Sequence, residues 1–183
     1  MENQEAKIKK IVATALLISL IIAGSYIAFP IPVSPVPIVL QNFFILLTGL
    51  ILGPIWGVGA VSIYLLLGTL GLPIFSSGGA GIEHLFGPGG GFLFGYLLSV
   101  FITGIIYTMT NKGIFPALIA SAAGTFVLYI CGVPWLKFSL GITWQRALAA
   151  GMVPYLIGDA LKVAAAGTIA PKLLSVIKLE RSS

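Results

Sequence analysis

Hydrophobic residues run along this chain in long blocks, and short clusters rich in Pro, Gly, Trp and charged side chains interrupt them. A helix needs about 20 apolar residues to cross a bilayer. The blocks predict spans over residues 11–29, 38–52, 55–72, 90–109, 114–133 and 147–176. The expected fold is therefore all-α: an integral membrane protein, one domain over residues 1–183, built as a six-transmembrane-helix bundle with irregular extracellular loops. The interruptions differ in kind. Pro30, Pro32, Pro35 and Pro37 alternate, which removes backbone donors and forces extended geometry, so this stretch reads as an extended connector at or dipping into one membrane face. Gly53-Pro54 reads as a tight turn between two spans. Ser76 to Phe92 holds seven glycines in seventeen residues, backbone that turns sharply or approaches something closely. Residues 134–146, with Trp135, Lys137, Trp144 and Arg146, read as interfacial, because tryptophan and cationic side chains prefer the headgroup level.

Composition narrows the class. Hydrophobic residues make up 58% and charged residues 8% of the chain, and the mean hydropathy is +1.09. Soluble domains carry roughly 25% charged residues. A net charge of +5 invites no nucleic acid here, since the charges sit beside the spans. Lys7, Lys9, Lys10, Lys112, Lys172, Lys178 and Arg181 fall on one side of a six-span topology, and Lys137 and Arg146 on the other. Positive charge gathers on the cytoplasmic side, so both termini are expected there, with the proline, glycine and tryptophan stretches facing outward. The apolar run from Ile11 to Phe29 outlasts the usual h-region of about 7–15 residues and more spans follow, so it reads as a span although Ala23-Gly24-Ser25 is a passable cleavage pattern. One cysteine, Cys131, permits no internal disulfide and reads as a small buried hydrophobe.

The candidate chemistry centres on Pro154 to Lys162. Asp159 and Lys162 are three residues apart, so a helix brings them to one face, and no other acid–base pair lies within an apolar block. Ionisable groups within a bilayer are costly and usually face a bundle interior or wet cavity. Asp159 falls about twelve residues, roughly 18 Å, into the last span, near mid-depth. The pair either meets a ligand or satisfies itself. Gln41 could bond a ligand or a neighbouring helix. Glu83 and His84 read as a solvated pair or as part of a site, and a single histidine excludes a multi-histidine metal or haem centre. The glycine-rich stretch lacks the lysine of a nucleotide-binding P-loop. Ala15, Ser19 and Ala23 form a small-residue row on the first span, suited to packing within the bundle or to docking a partner.

Pro35 to Asn42, Gly71-Leu72-Pro73-Ile74-Phe75, Gly87 to Phe92 and Gly158 to Lys162, in this order over nearly the whole chain, resemble the BioY family, the biotin-binding S components of prokaryotic energy-coupling factor (ECF) transporters. The resemblance implies a non-enzymatic, six-helix subunit of the cell membrane that captures biotin from outside. Its implied partners are a transmembrane coupling protein and two ATPases, with biotin as substrate and no cofactor or metal. The family motifs fall on Asp159 and Lys162 and on Gly87 to Phe92. The substrate-binding set becomes Asp159, Lys162, Gln41, Gly79, Gly90, Gly91, Phe92 and Tyr155, with Ala15, Ser19 and Ala23 docking the coupling protein. Gly79, Gly89, Phe92 and Leu93 depart from the family pattern by lacking side chains that could hydrogen-bond the ligand. Two other classes stay in view. An intramembrane enzyme would need a second catalytic carboxylate at depth, and a proton-coupled carrier or channel would use Asp159 as its titrating group.

Overall fold

The computed structural model describes residues 2–177, so Lys178 and Arg181 lie outside the described residues. Helix α1 (Glu2–Tyr26) leads into strands β1 (Ala28–Ile31) and β2 (Ser34–Val39). Helices α2 (Gln41–Thr69), α3 (Glu83–Phe86), α4 (Gly90–Thr108), α5 (Ile114–Leu140), α6 (Trp144–Gly151) and α7 (Leu156–Ile177) follow. Five helical stretches among the described residues are long and apolar enough to cross a membrane. Helices satisfy their backbone groups internally, which hydrocarbon demands.

Helix α2 is two arms. Gly53 (φ 76°, ψ −175°) breaks its helical backbone, and Pro54 restarts it at a position that needs no N–H donor. The chain reverses there: a Cβ on Gly57 would lie 3.7 Å from the Cα of Gly49, eight residues earlier. A straight helix would separate those residues by about 12 Å. The α4 backbone packs against this corner, where a Cβ on Gly104 would come within 2.5 Å of the Pro54 nitrogen.

Several expected boundaries move. The first helix ends at Tyr26, not Phe29, and the proline-rich connector is an ordered antiparallel hairpin, not an irregular loop. Its register pairs Ala28 with Val39, Phe29 with Ile38 and Ile31 with Ser34, and Pro30 sits at the irregularity between Phe29 and Ile31. Leu40 N–H donates to the Ile27 carbonyl at 3.1 Å, whereas Val36 N–H bonds Ser34 Oγ at 3.1 Å. Pro35 and Pro37 have no N–H to give, which a two-stranded ribbon with open edges tolerates. The fifth helix runs past Val133 and Pro134 to Leu140 and stops at left-handed Gly141 (φ 63°). Residues 134–140, expected as interfacial loop, are thus helix. The span expected over 147–176 is broken into α6 and α7, because Met152 leaves helical geometry (φ −135°, ψ −56°) and Pro154 opens a short 3-10 turn.

The three unusual stretches gather at one end of the bundle. Trp135 on α5 donates its indole N–H to the Gly87 carbonyl at 3.0 Å. Tyr155 donates to the Val36 carbonyl on β2 and shares a hydrogen bond with Ser34 Oγ at 2.8 Å. At the end of α1, Ser25 donates to the Ile74 carbonyl at 2.7 Å and Tyr26 to the Pro73 carbonyl. Beneath them an apolar core built on Ile21, Tyr64, Phe75, Tyr96 and Tyr129 grades into a second one around Leu50, Tyr107 and Ala166.

Candidate functional site

The first arm of α2 begins only at Gln41, below the hairpin, and the space above it is not filled by helix. There lies a cavity of about 450 Å³, bounded by β2, the start of α2, the 75–77 turn, α3 and the first turns of α4. A volume of this size suits a small organic ligand, and such sites hold few polar groups in an apolar lining. Val36, Val39, Phe75, Phe92 and Leu93 supply the apolar wall.

Its polar groups come from four elements. Gln41 is 1% exposed; its Nε2 makes no hydrogen bond of regular geometry, although its side chain interacts with the Tyr64 hydroxyl. An amide nitrogen carries two donors, so one is left for a ligand even where Tyr64 takes the other. Tyr96 donates to Asn42 Oδ1 at 2.9 Å, which fixes the ring on the wall. Ser76 Oγ is buried without a hydrogen-bond partner. Glu83 and His84 line the cavity although both are exposed, and the His84 ring stacks on Phe75 with centroids 5.9 Å apart.

Asp159 and Lys162 are not among the residues lining this cavity. Both are buried, at 4% and 9% exposure. Lys162 Nζ donates to Asp159 Oδ1 at 2.8 Å, and Tyr129 donates to Oδ2 at 2.5 Å. The pair thus sits between α5, which carries Tyr129, and α7. Burying two charges is tolerable only with pairing and further hydrogen bonds, which Tyr129 provides here. Spare capacity remains. An ammonium has three donors and a carboxylate about four acceptor positions, and these bonds use only part of them.

The other expected binding residues divide. Gln41 and Phe92 line the cavity. Gly79, Gly90, Gly91 and Tyr155 do not. A Cβ on Gly79 would fall 2.1 Å from His84 Nε2, one on Gly90 1.8 Å from the Leu85 carbonyl oxygen, and one on Gly91 2.2 Å from Trp135 Cβ. These glycines admit neighbouring parts of the chain itself, and Tyr155 fastens the hairpin. On α1, Thr14, Leu17, Ile21 and Ser25 face the bundle, whereas Ala15, Ser19 and Ala23 are exposed, so packing within this bundle does not account for the small-residue row.

Sequence reasoning missed Tyr96, Tyr129 and Ser76. The tyrosines left a usable signal: a hydroxyl inside an apolar span needs a partner, and few were on offer. Ser76 left none, since its burial depends on how the glycine-rich turn folds.

A family model described as the BioY family matches residues 1–179. The chain is 35% identical over 167 residues to a probable biotin transporter BioY of Pyrococcus horikoshii, covering 91% of this chain and 97% of that protein. It is 36% identical over 166 residues to the biotin transporter BioY of Thermotoga maritima, covering 90% and 95%. A crystal structure of the S-component for biotin from an ECF-type ABC transporter superposes with a TM-score of 0.87 at 29% identity, covering 96% of this chain and 94% of that one.

Proposed function

Since the chain belongs to the BioY family, we propose that it is the biotin-capturing S component of an ATP-driven ECF transporter. The observation that carries this reading is the cavity of about 450 Å³ with the buried amide of Gln41 in its wall, in a bundle that also holds a buried acid–base pair. Biotin has a planar ureido head, an apolar bicyclic body and a carboxylate tail. The ureido group both donates and accepts, as do Asp159 and Lys162 taken together. Gln41 Nε2, in the cavity wall, donates to the ureido oxygen, and Asp159, which stands outside the lining, accepts from the ureido N–H groups through its remaining lone pairs once the wall opens to it. Phe75, Phe92 and Leu93 cover the bicycle.

The two arms of α2 count separately, which gives six crossings and puts both termini on one side. Lys7, Lys9, Lys10, Lys112 and Lys172 then share the cytoplasmic face, and Lys137 and Arg146 mark the outer end with the cavity. Coupling to ATP falls to partner chains, a transmembrane coupling protein and two ATPases, and the exposed Ala15/Ser19/Ala23 row is the docking face for the former. Native mass spectrometry of the purified chain should find one biotin bound, and Asp159→Asn should lose it. Retention of biotin at full affinity by a folded Asp159→Asn protein would sink the assignment of the head group.

A further inference from the structure

The biotin reading leaves the carboxylate tail without a partner, and the cavity is poorly equipped to receive an anion. Among the described residues that line it, none is lysine or arginine. Lys162 is engaged with Asp159 and does not line the cavity. Lys137 lies over the rings of Phe138 and Trp144, at 4.4 and 5.1 Å from their centroids, and does not line the cavity. The lining holds one acid, Glu83, and one basic side chain, His84. Glu83 is folded back over Gly81, where a Cβ would stand 2.5 Å from its Oε2.

His84 is held in place. Its ring stacks on Phe75, which is 1% exposed and itself packs edge-on against Tyr64. The ring also lies over Gly79, leaving no space there for a side chain. Phe75 N–H donates to the Gly79 carbonyl at 2.9 Å, and Gly79 N–H to the Ser76 carbonyl at 3.2 Å, so Phe75, Ser76, Gly79 and His84 form one folded unit. Ser76 adds a second donor, the buried hydroxyl with no hydrogen-bond partner.

Resting on the biotin reading, we propose that His84 and Ser76 form the carboxylate-receiving end of the binding site, with the imidazole donating to one carboxylate oxygen and the Ser76 hydroxyl to the other. The ligand then lies with its tail under α3 and its head toward Gln41. His84 thereby sets the preference for an ionised tail over a neutral one, and Gly79 is glycine so that the imidazole can take this position.

The test compares equilibrium binding of biotin and of biotinamide, whose tail is neutral, to the purified full chain in nanodiscs. Wild type should favour biotin by roughly tenfold, the usual worth of a hydrogen bond to a charged group. His84→Ala should weaken biotin to the level of biotinamide and leave biotinamide within about twofold of wild type. His84→Arg, carrying a fixed positive charge, should restore the preference. An undiminished preference in His84→Ala, or an equal loss of both ligands, overturns the assignment. Binding of biotinamide also reports that the variant is folded. Failure of wild type to bind either compound overturns the biotin reading itself, a result that no His84 variant can mimic.

Discussion

At the scale of single residues, the pairing of Asp159 with Lys162 separates two properties that a simple deletion would confuse. Removing one member leaves the other charge buried and unpaired, at a cost of roughly 3–5 kcal/mol. Asp159→Leu combined with Lys162→Met removes both charges and keeps volume, and such replacements are often neutral for stability. The double variant should therefore melt near wild type in detergent yet retain no biotin, whereas Asp159→Leu alone should lose both. Gln41→Leu is the complementary case. It deletes a buried amide that makes no hydrogen bond of regular geometry, so thermal stability should change little, while biotin affinity should fall by about tenfold. A fall in melting temperature would instead mean that the amide holds helices together. The sequence showed the acid–base pair because two opposite charges stand out in an apolar run. It could not show that Tyr129, 30 residues away, completes the pair, since one tyrosine among several carries no mark of its partner.

At the scale of elements, the sequence was most legible where the chemistry of the backbone is strict. Alternating prolines exclude helix, and residues 28–39 are indeed extended, yet whether such a stretch pairs with itself depends on a turn that composition does not specify. Gly53-Pro54 gave the reversal inside α2 correctly. Pro134 misled in the opposite direction, since a proline inside a long apolar helix forfeits one hydrogen bond without ending it when neighbouring helices pack around it. The glycines of the 87–92 segment are a matter of packing density. Gly91→Ala would press a Cβ into Trp135 and strain its bond to the Gly87 carbonyl. It should destabilise by about 1–3 kcal/mol, read as a lowered melting temperature. The binding loss would follow from displacement of α3, not from loss of a ligand contact.

At the scale of the whole molecule, one end of the bundle carries the hairpin, the glycine-rich turns and the cavity, and α1 leaves a face of small side chains uncovered. In the proposed reading capture and docking are spatially distinct, and substitutions should separate them. Ala15→Leu with Ser19→Leu should leave biotin binding by the isolated chain unchanged and reduce recovery of ATPases when the chain is purified from cells containing the full transporter. Recovery at wild-type levels would move the docking face elsewhere. The overall class was legible from block lengths and the scarcity of charge. The proline and glycine stretches, read as outward-facing, do line the cavity, whereas the absence of Asp159 and Lys162 from its lining was not legible, because it depends on how α7 rotates against α5, which no local motif specifies.

The stitch from Tyr155 to the hairpin joins residues 119 positions apart in the chain and sits four residues before Asp159 on the same polypeptide run. In the proposed reading the cover of the chamber and the anchor for its guest thus hang from one short stem, so neither shifts without tugging the other. Cutting the thread with Tyr155→Phe should let the strands lift on their own: vitamin should escape roughly tenfold faster in a chase experiment, about what two lost hydrogen bonds allow, with entry scarcely altered.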